Sequence, residues 1–185
     1  MRGLRTATED DLDFVALADR SADDPASPLD AAELRAHRPK IRPYVVDADK
    51  ITLVEEVDGA LVGAILARFR DLDAEDESPA NRLLVDRVLP ELDPRWMPAD
   101  RRFTEIFNLW VAPEHRRRGV ATRLKRALEA ESLRRGVTLL YTHTDQDHAD
   151  VLALNQRLGY VVVRRGPIWD DVVRVSLVKR LDRPG

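Results

Sequence analysis

The sequence predicts an α/β protein, a mixed α+β sheet flanked by helices. Three observations predict it. Two β-rich runs meet at Asp58-Gly59, strand–helix–strand spacing recurs from 103 to 144, and two further β-rich runs flank Pro167. At 185 residues, 44% of them hydrophobic, the chain is long enough for one domain with a real core, read here as 1–185.

Leu4-Arg5-Thr6-Ala7-Thr8 reads as a short first strand. Thr8-Glu9-Asp10-Asp11 follows as a helix start, with Thr8 as N-cap and acids in the first turn. Leu12, Val15 and Ala16 share one face, which carries that helix to about Arg20. Ser21 to Pro28 is a loop, and Asp30 to His37 a second helix ending before Pro39. Ile51–Val57 and Leu61–Phe69 form a hairpin, because Asp-Gly accepts the positive φ angles of a tight turn. Asp71 to Glu77 then packs five acids into seven residues, and Leu83 to Leu89 reads as helical before Pro90, Pro94 and Pro98. The 71–100 segment is an acidic, solvated insertion; its charge also suits a lip that attracts a cationic substrate.

Phe103–Val111 is a long strand, apolar on both faces in its second half, as a central strand is. Pro113 to Gly119 makes a basic turn, and Val120 to about Arg135 a helix. Ala121, Leu124, Ala127 and Leu128 form its inner stripe, with Arg123, Lys125, Arg126, Glu129 and Glu131 mostly outside. Val137–Thr144 is a strand parallel to 103–111, given the helical crossover. Asp150 to Leu158 is a helix stopped by Gly159. Tyr160–Arg164 and Val172–Val178 close the sheet as an antiparallel pair.

Composition narrows the function. A net charge of −3 argues against general nucleic-acid binding, even with the basic stretch 115–126. Zero cysteines remove disulfides, thiolate metal sites and cysteine nucleophiles, and suit a reducing cytoplasm. There is no signal-peptide h-region, and no run approaches the ~20 apolar residues of a membrane span. His143, Asp145, Asp147 and His148 fall on a strand-to-helix loop without a fixed ligand set, so no metal is expected. Trp96 and Trp110 suit either an acceptor pocket or packing.

Leu109 to Thr122 is the informative stretch. It reads as a strand, a loop rich in backbone donors and a helix N-terminus, where unpaired N–H groups and partial positive charge favour phosphate. Arg116-Arg117-Arg118-Gly119-Val120-Ala121 fits the pattern Arg/Gln-x-x-Gly-x-Gly/Ala. Leu109, Val111 and Pro113 match a Leu-x-Val-x-Pro lead-in, and Leu158-Gly159-Tyr160 stands where a Leu-Gly-Phe closes the next helix. In this conjunction the chain resembles the GNAT family of N-acetyltransferases, closely over 103–180 and only in order of elements before that.

The resemblance implies the GNAT acyl-CoA N-acyltransferase fold, with acetyl-CoA as co-substrate between splayed strands 103–111 and 137–144. On it, 1–102 is the acceptor-side half and 103–181 the acetyl-CoA-binding half. Backbone N–H groups from Arg117 through Arg118, Gly119, Val120, Ala121 and Thr122 hold the pyrophosphate, and Arg116 or Lys125 adds attraction for the phosphates. Main chain at Leu109, Trp110 and Val111 pairs with pantetheine, and the Val111 N–H polarises the thioester carbonyl. Glu105, eleven residues before Arg116, resembles the family's general-base glutamate. Where many relatives carry an acidic tyrosine, four residues before the glycine, this chain has Asn155, a cofactor contact that cannot donate a proton as an acid. Tyr141 and Tyr160 lie off that position and pack. His148 stands where relatives often have asparagine.

The expected activity is acetyl transfer to a primary amine of a small molecule or peptide. The alternative is a non-catalytic acyl-CoA sensor of the same fold. Homodimers are common in the family.

Overall fold

The computed structural model describes residues 2–23, 30–73 and 88–182. Its strands are β1 (Arg2–Thr6), β2 (Lys50–Val57), β3 (Ala60–Asp71), β4 (Arg102–Val111), β5 (Leu139–Asp145), β6 (Val161–Gly166) and β7 (Arg174–Arg180). Its helices are α1 (Leu12–Asp23), α2 (Ala31–Ile41), the short α3 (Pro43–Val46), α4 (Val120–Arg134) and α5 (Ala149–Arg157). The strands form a mixed sheet in the order β1-β2-β3-β4-β5-β7-β6. Among the described residues, no helix is long and apolar enough to cross a membrane. Contacts group the chain into two compact units, Met1–Arg68 with Ile106–Glu131, and Phe69–Glu105 with Ser132–Gly185.

In the first unit, β2 pairs antiparallel with both β1 and β3. The β2–β3 turn is made by Asp58 (φ 52°) and Gly59 (φ 84°), the two positive φ values the Asp-Gly pair favours. A register shift lies between Glu55, opposite Gly63, and Glu56, opposite Leu61. Val62 is therefore the extra residue, and its carbonyl accepts the Ala112 N–H at 2.9 Å. Arg5 clamps Asp11 with two bonds of 2.6 and 2.9 Å while the Thr8 N–H donates to the same carboxylate at 2.8 Å. Asp30 caps α2, accepting from Ala32 N and Glu33 N at 2.7 and 2.8 Å.

That helix does not stop before Pro39 as the sequence suggests. It runs through Pro39 to Ile41, which is fully buried, and the next turn closes by Arg42 N–H to Arg38 O at 2.8 Å. Anchoring Ile41 in the core offsets the one helical bond that proline forgoes. The buried residues of this unit include Val15, Ala18, Ile41, Val54 and Leu66, against which Phe14 and Trp110 pack edge to face at 5.9 Å. Trp110 is thus a packing residue.

In α4 the buried set is Val120, Leu124, Lys125 and Leu128, with Ser132 beyond. Lys125, expected outside the stripe, is 2% exposed because the buried face is wider than one residue per turn.

The second unit takes the start of β4 and pairs it parallel with β5, Thr104 opposite Leu140 and Glu105 opposite Tyr141. β7 lies antiparallel to both β5 and β6. Phe103, Tyr141, Ile168 and Val178 centre its core, with Trp96 packed against it. Tyr141 and Tyr160 are both buried, as expected of packing residues. All of the helix expected over 83–89 except Val88 and Leu89, and most of the acidic run, fall outside the described residues.

Candidate functional site

In the first unit, Leu109 to Thr122 is one continuous strand–turn–helix. β4 ends at Val111, Pro113–His115 forms a 3-10 turn, and residues 116–119 turn into α4 at Val120. Arg117 (φ 59°) and Gly119 (φ 78°) are left-handed, an uncommon state for an arginine. Alternating a left-handed residue with ordinary ones turns successive N–H groups to one side, which is how backbone nests bind anions. The bond from Arg123 N to Gly119 O, 3.0 Å, is the first i to i−4 bond of the helix. The N–H groups of Val120, Ala121 and Thr122 precede it and are the donors a helix N-terminus leaves over. Leu109, Trp110 and Val111 are half-buried; Arg116, Arg117, Arg118 and Gly119 are exposed; Val120 is buried, with Ala121 and Thr122 half-buried.

Two arginines fix this turn from its ends. Arg116 Nε donates to Val111 O at 3.0 Å. Arg123 Nη1 donates to Arg118 O at 3.1 Å while its Nε and Nη2 hold Glu55. Neither brace is readable from the sequence pattern. Gly63 is the other unpredicted participant. A Cβ there would lie 2.7 Å from Val120 Cγ1 and 3.2 Å from Trp110 O, so its missing side chain lets α4 sit close to the sheet.

Also in this unit, Asp19 is buried and accepts from Asn108 Nδ2 at 2.8 Å, with His37 Nε2 at 2.7 Å.

Glu105 and Asn155 belong to the second unit. Arg70, nearly buried, donates to Glu105 Oε2 at 3.2 Å. Sequence reading missed this partner, which lies 35 residues away. Tyr141, opposite Glu105, donates to or accepts from Ser176 Oγ at 3.0 Å. Burial raises its phenol well above the usual range, so it stays protonated. Two residues on, His143 packs edge to face on Trp169 at 4.9 Å. Its Nδ1 is buried without a hydrogen-bond partner, and burial, then Arg174, bring its pKa down to about 4 against the opposing pull of Asp145. The imidazole is neutral at pH 7. Arg174 is itself held by Asp170 and Asp145 and stacks on Trp169 at 4.5 Å. Among the described residues, no three His, Asp or Glu side chains group to hold a metal.

Asn155 is 1% exposed and its Oδ1 has no hydrogen-bond partner. An unsatisfied buried carbonyl costs stability unless a ligand group meets it. His148 begins α5 without capping it, its Nδ1 3.5 Å from Thr144 Oγ1.

This architecture and the Arg-x-x-Gly-x-Ala turn define an acyltransferase class. Residues 16–160 match the Acetyltransferase (GNAT) family, and the chain belongs to it. No curated protein sequence matches. Among solved structures, the chain is similar to Arabidopsis thaliana NAA60 in complex with acetyl-CoA, at 18% identity and TM-score 0.69, covering 98% of this chain and 99% of that one. It is similar to the ribosomal-protein-S18-alanine N-acetyltransferase from Escherichia coli, at 14% identity and TM-score 0.67, covering 100% and 97%. A third similarity is to yncA, a putative acetyltransferase from Salmonella typhimurium with its cofactor acetyl-CoA, at 17% identity and TM-score 0.64, covering 100% and 96%. These likenesses of fold cover 98–100% of the chain, beyond the 16–160 of the family match.

Proposed function

We propose that the protein is an acetyl-CoA-dependent N-acetyltransferase that transfers an acetyl group to a primary amine of a small molecule or peptide by direct attack. The observation that carries the reading is the left-handed Arg117 and Gly119 turn opening into α4, in a chain of the GNAT family. The residues present fit acetyl-CoA on two counts. In the first unit the turn offers the N–H groups of Arg117 to Thr122 to a pyrophosphate; in the second, taken by itself, Asn155 keeps a buried carbonyl oxygen without a partner. Leu109 to Val111 offer main-chain groups to pantetheine, and the Val111 N–H stabilises negative charge on the thioester oxygen.

Acetyl-CoA supplies the activated acyl group. The amine nitrogen forms a bond to the acyl carbon, the carbon–sulfur bond breaks, one proton leaves the nitrogen and one reaches the thiolate. Glu105 accepts the first proton in this reading. Asn155 cannot donate the second, so water supplies it. On the same reading the protein works in the cytoplasm, without a metal, as one acetyltransferase domain.

Two observations favour a second reading, an acyl-CoA sensor without turnover: Asn155 in place of an acid, and Glu105 already paired with Arg70. Release of free thiol from acetyl-CoA, measured over a panel of amines, separates the two. Amine-dependent release that falls in Glu105→Gln supports the enzyme. Tight acetyl-CoA binding with no release on any amine supports the sensor.

A further inference from the structure

We infer that Glu55 and Arg123 act as a positioning pair that sets the conformation of the 116–119 turn for the cofactor pyrophosphate. The inference rests on the acetyl-CoA reading above and assigns Arg123 a role distinct from phosphate binding. Glu55 is 1% exposed, a carboxylate taken out of water in the middle of β2. It is held by Arg123 through Nε at 3.1 Å to both oxygens and through Nη2 at 2.6 Å. A charge so buried is tolerated when a well-oriented fork satisfies it, and this fork also orients the arginine.

The remaining nitrogen then has one place to go. Arg123 Nη1 reaches back to Arg118 O at 3.1 Å, one residue beyond the left-handed Arg117 and one before the left-handed Gly119. A Cβ on Gly119 would lie 2.9 Å from that same Nη1, so guanidinium and turn are in close contact. The chain is therefore sheet carboxylate, helix guanidinium, turn carbonyl. Fixing the Arg118 carbonyl fixes the peptide plane whose other end is the Gly119 N–H, one of the donors offered to phosphate.

The local fold explains why these two residues meet across 68 positions. Glu55 is registered with Gly63, which places both on one face of the hairpin. Gly63 has no side chain there, which lets Val120 and Leu124 of α4 approach and brings Arg123 over Glu55. The bulge at Val62 ends this alternation directly after Glu55.

A bracing arginine and a phosphate-binding arginine differ in what their partner's loss does. If Arg123 acted by charge, Glu55→Gln would remove a competing carboxylate and strengthen nucleotide binding, and Arg123→Lys would keep most of it. If the pair acts by geometry, both variants weaken it. Isothermal titration of the full chain with 3′-phospho-ADP, acetyl-CoA and acetyl-pantetheine makes the distinction. We expect Glu55→Gln and Arg123→Lys each to raise the Kd for 3′-phospho-ADP and acetyl-CoA at least tenfold, leaving acetyl-pantetheine, which lacks the pyrophosphate, within twofold. Unchanged or tighter nucleotide binding in Glu55→Gln, or wild-type affinity in Arg123→Lys, overturns the inference. Circular dichroism and Tm check folding; if Glu55→Gln fails to fold, Arg123→Lys, at a half-exposed position, carries the test. Failure of the wild type to bind any of the three ligands overturns the acetyl-CoA reading itself, a different result from wild-type binding that the variants share.

Discussion

Glu105 presents the sharpest question at the scale of single residues. Its pattern position, eleven before Arg116, is visible in the sequence, whereas its Arg70 partner is not, because no periodicity links residues 35 apart. Arg70 engages one oxygen of that carboxylate at 3.2 Å. On the enzyme reading, Glu105→Gln should lower kcat by about 100-fold or more with KM for acetyl-CoA unchanged, the usual scale of a lost general base. Steady-state kinetics checks this, and an unaltered kcat removes the base role from Glu105. Asn155 is a case where sequence and structure agree on an oddity. The amide at the tyrosine position is plain in the sequence, and its Oδ1 is buried without a hydrogen-bond partner. Acetyl-CoA should raise the Tm of the wild type, and Asn155→Ala should shrink that rise, as read by thermal melts at fixed ligand concentration.

The Asp58-Gly59 hairpin and the 109–122 strand–turn–helix are legible because each rests on local chemistry. Turn φ angles, alternation and a helix start are written in neighbouring residues. The end of α2 was not legible, since Pro39 is a local stop signal that burial of Ile41 overrides. The place of β7 between β5 and β6 is likewise a long-range choice. The packing of α4 on β3 rests on Gly63, whose need is visible only once Val120 lies against it. Gly63→Ala should cost about 1–3 kcal/mol, because the stiff Val120 side chain and the Trp110 carbonyl must both give way. Urea denaturation measures it. A neutral outcome would show that α4 can move away without loss.

At the scale of the whole molecule, two groups make stability depend on acid pH. His143 is neutral in the folded state down to about pH 4, while an unfolded histidine titrates near its ordinary value of 6.5. Between those values the unfolded chain binds the extra proton, so stability falls as pH drops through that window and is complete above it. Asp11, held down to about 2 first by Arg5 and also by the Thr8 N–H, adds a second loss as pH falls from about 4 towards 2. Urea midpoints from pH 7 to pH 4 should decline in the wild type and decline less in His143→Gln.

The family match over residues 16–160 supports acetyl-CoA as the donor and does not identify the acceptor. The central claim concerns the donor. It is tested most directly by a crystal structure of the protein with acetyl-CoA. The account predicts pyrophosphate oxygens within hydrogen-bond distance of the N–H groups of Arg117 to Thr122 and the thioester oxygen at the Val111 N–H. Acetyl-CoA bound with its pyrophosphate away from this turn would contradict it.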